Sequence, residues 1–385
     1  MKIVIDFRKF DGVVGGVEKG VIRISEYAAQ QGHPIVLLFK EKRTGNVKEV
    51  FGSIPNIKLV PLKVDTHAMS LRNAWMDSID IQNIAEEEGA DVIHFPYNWS
   101  FPFRKKAPSI LTIHDVIPFT FREAMGFYRN RLLYKPGMRM ACALNDIIVT
   151  VSEFSKTDIA SKVGVAPEKI RVIPNGLRPP TGRNEEMEAG LKKRFNLAAG
   201  FILNVGGIHE RKNIPRLIQA FAQLVNGRDK YPGKLLITGS ASGAPYQVMM
   251  RKVCDQAVKE AGMSERIIFT GFISDEELDS LFALASLLIY PSLYEGFGIP
   301  ILEAMQAGTP VITSNITGTR EVAQDAAILI DPYNVDEMTS QMSRLLGDNQ
   351  LRAELSKKGQ ARASSYSWDS TAEKYLELYR YLADR

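Results

Sequence analysis

The chain alternates short, continuous apolar runs with longer stretches of helical periodicity. Runs of strand length fall at residues 3–5, 35–38, 57–60, 92–95, 110–113, 147–151 and 172–173, then at 201–205, 235–238, 267–270, 287–290, 311–313 and 328–330. They are too uniformly apolar for strands with one wet face and fit parallel strands covered by helices on both sides. The alternation predicts two doubly wound α/β units. Pro174-Asn175-Gly176 is a turn signal, and Pro179-Pro180-Thr181-Gly182 stops both helix and sheet, with 185–188 as a polar connector. The boundary is therefore expected between 173 and 191. Beyond Trp368, the residues Ala372, Tyr375, Tyr379 and Leu382 recur on one helical stripe. That spacing does not choose between the two units as the helix's partner.

Composition narrows the class. With 385 residues, 45% hydrophobic and 24% charged, the chain suits two globular domains and excludes a disordered or low-complexity protein. Cys142 and Cys254 form no CxxC, which excludes a disulfide framework or zinc knuckle and fits a reducing compartment. Lys2 is followed by three apolar residues and then Asp6, so no signal peptide is expected. No apolar run approaches the ~18 residues of a spanning helix. The net charge of +4 is uneven: residues 1–180 carry 25 basic and 19 acidic side chains, and the remainder is slightly acidic. An anionic partner or surface is expected for the basic half. Nucleic acid is not, because no helix-turn-helix, RNP or zinc-finger pattern appears. Metal chemistry has no support, for there is neither HExxH nor Asp-x-Asp.

Four segments carry candidate chemistry. In 291–304 a buried strand gives way to a glycine-rich turn, and Pro300 suits the first turn of a helix. The N–H groups of Gly298 and Ile299 would form an anion site at the helix start. Glu295 in the turn and Glu303 one turn into the helix suit hydrogen bonds to sugar hydroxyls. The plainer reading is a tight turn at Gly298 and a favourable charge at Glu303. In 205–213, Gly206-Gly207 follows a strand, and Arg211 and Lys212 open a helix. Two cations there suit a diphosphate, or else form a solvated basic turn. In 12–18, Gly15 and Gly16 follow the first strand and allow close approach to a ligand, or make a flexible turn. None of these is a GxGxxG, which disfavours a dinucleotide dehydrogenase. In 112–118, His114 is a lone histidine, more often structural, but it lies at a strand's carboxyl end, where ligands of such sheets bind. Asp115 either orients His114 or caps the next turn. Separately, 119–139 interleaves Arg122, Arg129, Arg131, Lys135 and Arg139 with aromatic and leucine residues, suiting an anionic membrane surface or a lipid-diphosphate acceptor, or else a solvated helix face.

The run from Glu295 to Glu303 resembles the Glu-x7-Glu motif of the retaining GT-B glycosyltransferases of family four, also called group 1, and the likeness extends over the second half. The resemblance implies a GT-B fold: two doubly wound Rossmann-like parallel-sheet domains facing a central cleft. Residues 1–176 would bind acceptor, with the last helix, 368–385, crossing back to them, and 177–367 would bind donor. By the same resemblance Glu295 holds the donor sugar, Glu303 the ribose, and Gly298 and Ile299 offer backbone N–H groups. Lys212 meets the donor phosphates. Many members carry Arg where this chain has Gly207, which leaves Arg211 as second cation. Gly15 and Gly16 face the donor phosphate and acceptor, and His114 touches the transferred sugar. Ile273 and Asp275 flank the nucleobase, although 274–277 equally reads as a helix cap.

His-Asp-x-x-Pro, common among mannosyltransferase-like members, points to GDP-mannose. The expected activity is retaining, metal-independent transfer of a hexose from a nucleoside diphosphate sugar to a glycan or lipid-linked hydroxyl, in polysaccharide or glycolipid synthesis. No cofactor is implied. The expected location is cytoplasmic and peripheral on the inner face of the cytoplasmic membrane, through 119–139. A GT-B sugar-nucleotide epimerase and a catalytically silent nucleotide-sugar-binding subunit are the alternatives.

Overall fold

A computed structural model describes residues 1–64, 71–121, 130–180, 182, 184–198, 200–227, 230–239 and 245–384. The chain forms two compact units: Met1–Phe119 with Phe127–Gly176 and Tyr366–Arg385, and Thr120–Gly126 with Leu177–Ser365. The first holds strands β1 (Ile3–Asp6), β2 (Ile35–Lys40), β3 (Ile57–Leu62), β4 (Val92–Phe95), β5 (Ser109–Thr112), β6 (Ile147–Thr150) and β7 (Ile170–Val172). The second holds β8 (Phe201–Val205), β9 (Lys234–Thr238), β10 (Ile267–Gly271), β11 (Leu287–Tyr290), β12 (Val311–Ser314) and β13 (Ile328–Ile330). Each apolar run identified above is a strand.

The sheets run β3-β2-β1-β4-β5-β6-β7 and β10-β9-β8-β11-β12-β13. Among the described residues the strands pair in parallel, with β1 in register between β2 (Ile3 opposite Ile35) and β4 (Ile3 opposite Val92). Central strands such as β1, β5, β8 and β11 are buried along their whole length, because helices cover both faces. In both sheets the strand order reverses beside the first strand, at β1/β4 and at β8/β11. The loops beyond the carboxyl ends of those strands are where such sheets bind ligands. Helices α1 (Gly16–Gln30), α2 (Ile214–Asn226), α3 (Asp275–Leu284), α4 (Ile299–Gln306) and α5 (Thr317–Ala323) follow β1, β8, β10, β11 and β12, and most candidate residues lie in the turns that lead into the first four of them or in their first turns.

Residues 185–188, expected as a connector, begin a helix, Glu185–Phe195. Asn184 caps it by accepting the Met187 N–H at 3.0 Å. Three glutamates occupy its first turn and Lys192, Lys193 and Arg194 its last, a charge order that matches the helix dipole.

The last helix, Trp368–Ala383, packs in the first unit. Tyr375, Leu376, Leu378, Tyr379 and Leu382 join the core formed by β1, β2 and α1. A Cβ at Gly176 would fall 2.3 Å from the Trp368 nitrogen, so only glycine lets the backbones meet there. The contact also has a polar centre. His94 is 1% exposed. Its Nε2 lies 2.8 Å from the Thr112 hydroxyl and its Nδ1 2.7 Å from the Tyr379 hydroxyl. Tyr375 stacks on the ring at 5.2 Å. Burial holds the imidazole neutral, with its pKa lowered to about 3.

Candidate active site

In the second unit the site starts where β8 ends. Gly206 has φ +125°, and a Cβ there would lie 2.8 Å from both Cε and Nζ of Lys212. Gly239, after β9, has φ +127°. A Cβ on it would meet the Gly206 oxygen at 2.5 Å and the Gly207 nitrogen at 2.8 Å. The left-handed φ requires glycine at both positions, close backbone approach adds to it at Gly239, and Gly207 is pressed against the neighbouring strand's end. Arg211 and Lys212 do not open a helix. They lie in a single 3-10 turn, Glu210–Lys212, and α2 starts only after Asn213, whose φ of 60° breaks the path. The break has a use: the Asn213 amide donates to the Pro291 oxygen at 3.2 Å and the Pro332 oxygen at 2.6 Å. The Leu293 N–H donates to the Arg211 oxygen at 2.7 Å. The cationic turn is therefore laced to the turn after β11.

That lacing brings together residues 84 positions apart. Arg211 Nη1 lies 2.5 Å from Glu295 Oε1, and Lys212 Nζ lies 2.8 Å from the same oxygen. The side chains of Arg211 and Glu295 are only 14% and 12% exposed. Lys212 also donates to the Tyr290 hydroxyl and sits 4.3 Å above that ring's centre. Burial alone would raise the Glu295 pKa, but the Lys212 and Arg211 cations together hold it below the usual carboxylate range. Burial, with Glu295 adding to it, pushes the Tyr290 phenol well up, so it stays protonated. Two cations against one carboxylate leave this cluster with a net positive charge.

Gly298, with φ +138°, is the N-cap of α4 and has no side chain to satisfy the first N–H groups. Pro300 stands in the first turn, where a missing N–H costs nothing. Glu303 lies in the fifth position of α4, half-buried. It shares with Asp275 and Asp279 the surroundings of Arg178, whose guanidinium all three stabilise and which donates to the Asp275 oxygen at 3.1 Å. The loop 272–274 enters α3 with Phe272 76% exposed and Ile273 half-buried. Ser274 caps α3 in a reciprocal box with Glu277, and Asp275 is exposed in its first turn. The capping reading of 274–277 therefore holds, and it leaves the Asp275 side chain at the surface.

In the first unit, Gly15 caps α1 and its N–H donates to Glu18 Oε2 at 3.1 Å, while Gly16 is exposed. Tyr97 donates to the other Glu18 oxygen at 3.0 Å. His114 follows β5. Burial lowers its pKa to about 4. Its Nε2 is buried with no hydrogen-bond partner among the described residues, an orphan that calls for explanation. Asp115 caps the next turn, accepting the Ile117 N–H at 3.0 Å. Within 119–139, residues 122–129, Arg122 and Arg129 among them, lie outside the described residues. Leu132 and Leu133 are exposed.

The sequence did not single out Tyr290, Arg178 or Thr317. A tyrosine closing a buried strand at its carboxyl end was a usable signal for the first. Arg178 and Thr317 are joined to the site only by the fold.

Residues 190–362 match the family model described as glycosyl transferases group 1, and residues 14–179 match glycosyltransferase family 4. The O-antigen chain mannosyltransferase B of Escherichia coli is 31% identical over 84% of this chain and 81% of that protein. The chain belongs to the group 1 glycosyltransferases. The serotype-specific mannosyltransferase WbdA of E. coli is 28% identical over 82% of this chain, which spans only 39% of that longer protein. The crystal structure of Anabaena Alr3699/HepE in complex with UDP-glucose superposes with a TM-score of 0.77 at 20% identity, over 99% of this chain and 100% of that one. This likeness gives the GT-B fold. The protein is thus a glycosyltransferase with mannosyltransferase relatives, and a nucleotide-sugar donor and a glycan acceptor follow from that membership.

Proposed function

We propose that this glycosyltransferase moves mannose from GDP-mannose to a hydroxyl of a glycan or lipid-linked acceptor in polysaccharide or glycolipid synthesis, with retention at the anomeric carbon and without a metal ion. The observation that carries the reading is the Arg211–Lys212–Glu295 cluster at the switch point of the second sheet, next to the uncapped start of α4. Its positive charge and the Gly298 and Ile299 amides suit a diphosphate. A nucleoside diphosphate leaves readily, so the chemistry requires stabilisation of the charge growing on the departing phosphate rather than a general acid. The departing phosphate takes the acceptor proton on the same face of the sugar. Glu295 holds sugar hydroxyls, Glu303 the ribose, and Ile273 and Asp275 the base. In the first unit, Gly15 and Gly16 line the ligand, and the orphan Nε2 of His114 meets the transferred sugar.

A thermal-shift panel of GDP, UDP, dTDP and ADP tests the donor. GDP is expected to raise Tm most, since a ligand selective for the native state stabilises it in proportion to its binding. With GDP-mannose as donor, NMR of the product should show the donor's α configuration, at a rate unchanged by EDTA. A β-linked product would overturn retention, and loss of turnover in EDTA would overturn the metal-free reading.

A peripheral site on the inner face of the cytoplasmic membrane is proposed as well. No helix among the described residues is long and apolar enough to cross a membrane. Instead the first unit exposes Trp75, Phe103, Leu132 and Leu133, with Arg104, Lys105 and Arg139 also exposed. Apolar anchors with basic neighbours suit an anionic bilayer. The protein should float with phosphatidylglycerol vesicles and be released by high salt; equal flotation with neutral vesicles would remove the electrostatic part of this reading.

A further inference from the structure

Thr317 opens α5 with φ +59°. Among the described residues it is the only one branched at Cβ with positive φ, and three of the other five are asparagines, which tolerate that region. Strain of this kind persists where the surroundings over-determine it, and it gathers at functional sites. The surroundings here belong to Glu295. The Glu295 N–H donates to Thr317 Oγ1 at 3.3 Å, and the Gly318 N–H donates to the Glu295 oxygen at 3.0 Å. Both backbone polar groups of the carboxylate-bearing residue therefore end on Thr317-Gly318. The approach is close: a Cβ at Gly318 would lie 2.5 Å from the Gly296 oxygen and 2.9 Å from the Glu295 oxygen.

This is the last rung of a series. Thr313 Oγ1 donates to the Tyr290 oxygen at 2.9 Å, and Ser314 Oγ to the Ser292 oxygen at 2.7 Å. Thr319 Oγ1 closes the turn between them, donating to the Ser314 oxygen at 3.0 Å and the Ile316 oxygen at 2.6 Å. The hydroxyls of 313–319 template the main chain of 290–295 from one side. Arg211 and Lys212 hold the Glu295 carboxylate from the other. Only the rung at Glu295 itself is made by a residue with positive φ.

We infer that Thr317 is a positioning residue for the donor sugar: its left-handed backbone and its hydroxyl fix the Glu295 main chain, and so the aim of the carboxylate. The inference rests on the reading of Glu295 as the residue that holds sugar hydroxyls. Thr317 does not touch the nucleotide in this account. Its loss should weaken recognition of the sugar and spare recognition of the diphosphate.

The test is calorimetric. Wild type, Thr317→Ser, Thr317→Gly and Glu295→Gln are each titrated with GDP and GDP-mannose, and with UDP and UDP-glucose. The quantity read is the ratio of sugar-nucleotide to diphosphate affinity. Thr317→Gly removes the hydroxyl and relieves the backbone, so its Tm should not fall, yet the ratio should drop by up to about tenfold, the scale of one hydrogen bond. Diphosphate affinity should stay within about twofold, a spread too small to reflect a lost contact. Thr317→Ser should restore the ratio. A wild-type ratio in Thr317→Gly beside an altered one in Glu295→Gln overturns the inference alone. So does an equal loss for both ligands in Thr317→Gly, which would mark a general loosening of the unit. A wild-type ratio in Glu295→Gln, or a wild-type protein that binds neither pair, overturns the reading of Glu295 and the inference with it.

Discussion

Lys212→Ala should lower kcat/KM by more than about 100-fold, on the scale of removing one donor that stabilises developing charge. Lys212 is 6% exposed, and its ammonium is fixed by Glu295 at 2.8 Å and by the Tyr290 hydroxyl and ring. A cation held in that way needs little reorganisation when charge grows on a departing phosphate. Among the described residues, the truncation leaves Glu295 paired with Arg211. The carboxylate's pKa should therefore rise, and the acid limb of the pH–rate profile should move to higher pH. Lys212→Arg should not rescue activity. The ammonium is held at once by Glu295 and by the Tyr290 hydroxyl and ring, contacts that a larger planar guanidinium does not reproduce. Steady-state kinetics at a temperature well below each variant's Tm separates chemistry from folding. Turnover within tenfold of wild type would remove Lys212 from the phosphate site.

Deleting residues 366–385 should unfold the first unit while leaving the second intact. The last helix buries Trp368, Tyr375, Leu376, Leu378, Tyr379 and Leu382. At roughly 1.5–3 kcal/mol for each large apolar side chain, the loss is on the order of 10 kcal/mol. That is comparable with the whole stability of a domain, about 5–15 kcal/mol. The deletion also strips His94 of Tyr379 and exposes it to water. Its imidazole pKa should return from about 3 toward 6.5, the ordinary value. NMR titration reads that change, and limited proteolysis should cut residues 1–176 first. A truncated chain with wild-type near-UV circular dichroism and a still-depressed His94 pKa would refute the packing role of this helix.

The architecture was legible because it rests on local pattern. Strands buried on both faces must be apolar throughout, so all the strands showed as short runs, and the helices between them implied parallel order. The errors were local too. Residues 185–188 looked like a connector because an acidic first turn is polar, although Asn184 and the helix dipole make it a helix start. Arg211 and Lys212 were read as opening a helix because the apolar stripe of α2 follows at once. The left-handed Asn213 lies between them and left no trace in the pattern.

The candidate site was legible only in pieces. Glycines, paired cations and two carboxylates marked the turns, since each type has a distinct chemical use at a strand's end. Sequence by itself determined two parallel α/β units, the strands that build them, and the turns that carry charge. The tertiary structure decided that Arg211 and Lys212 converge on one oxygen of Glu295, that Tyr290 and Thr317 attend them, and that the last helix belongs with the first unit. The reason is range. Apolar periodicity is written in neighbours three or four residues apart, whereas an ion pair across 84 positions exists only once two loops have been tied together.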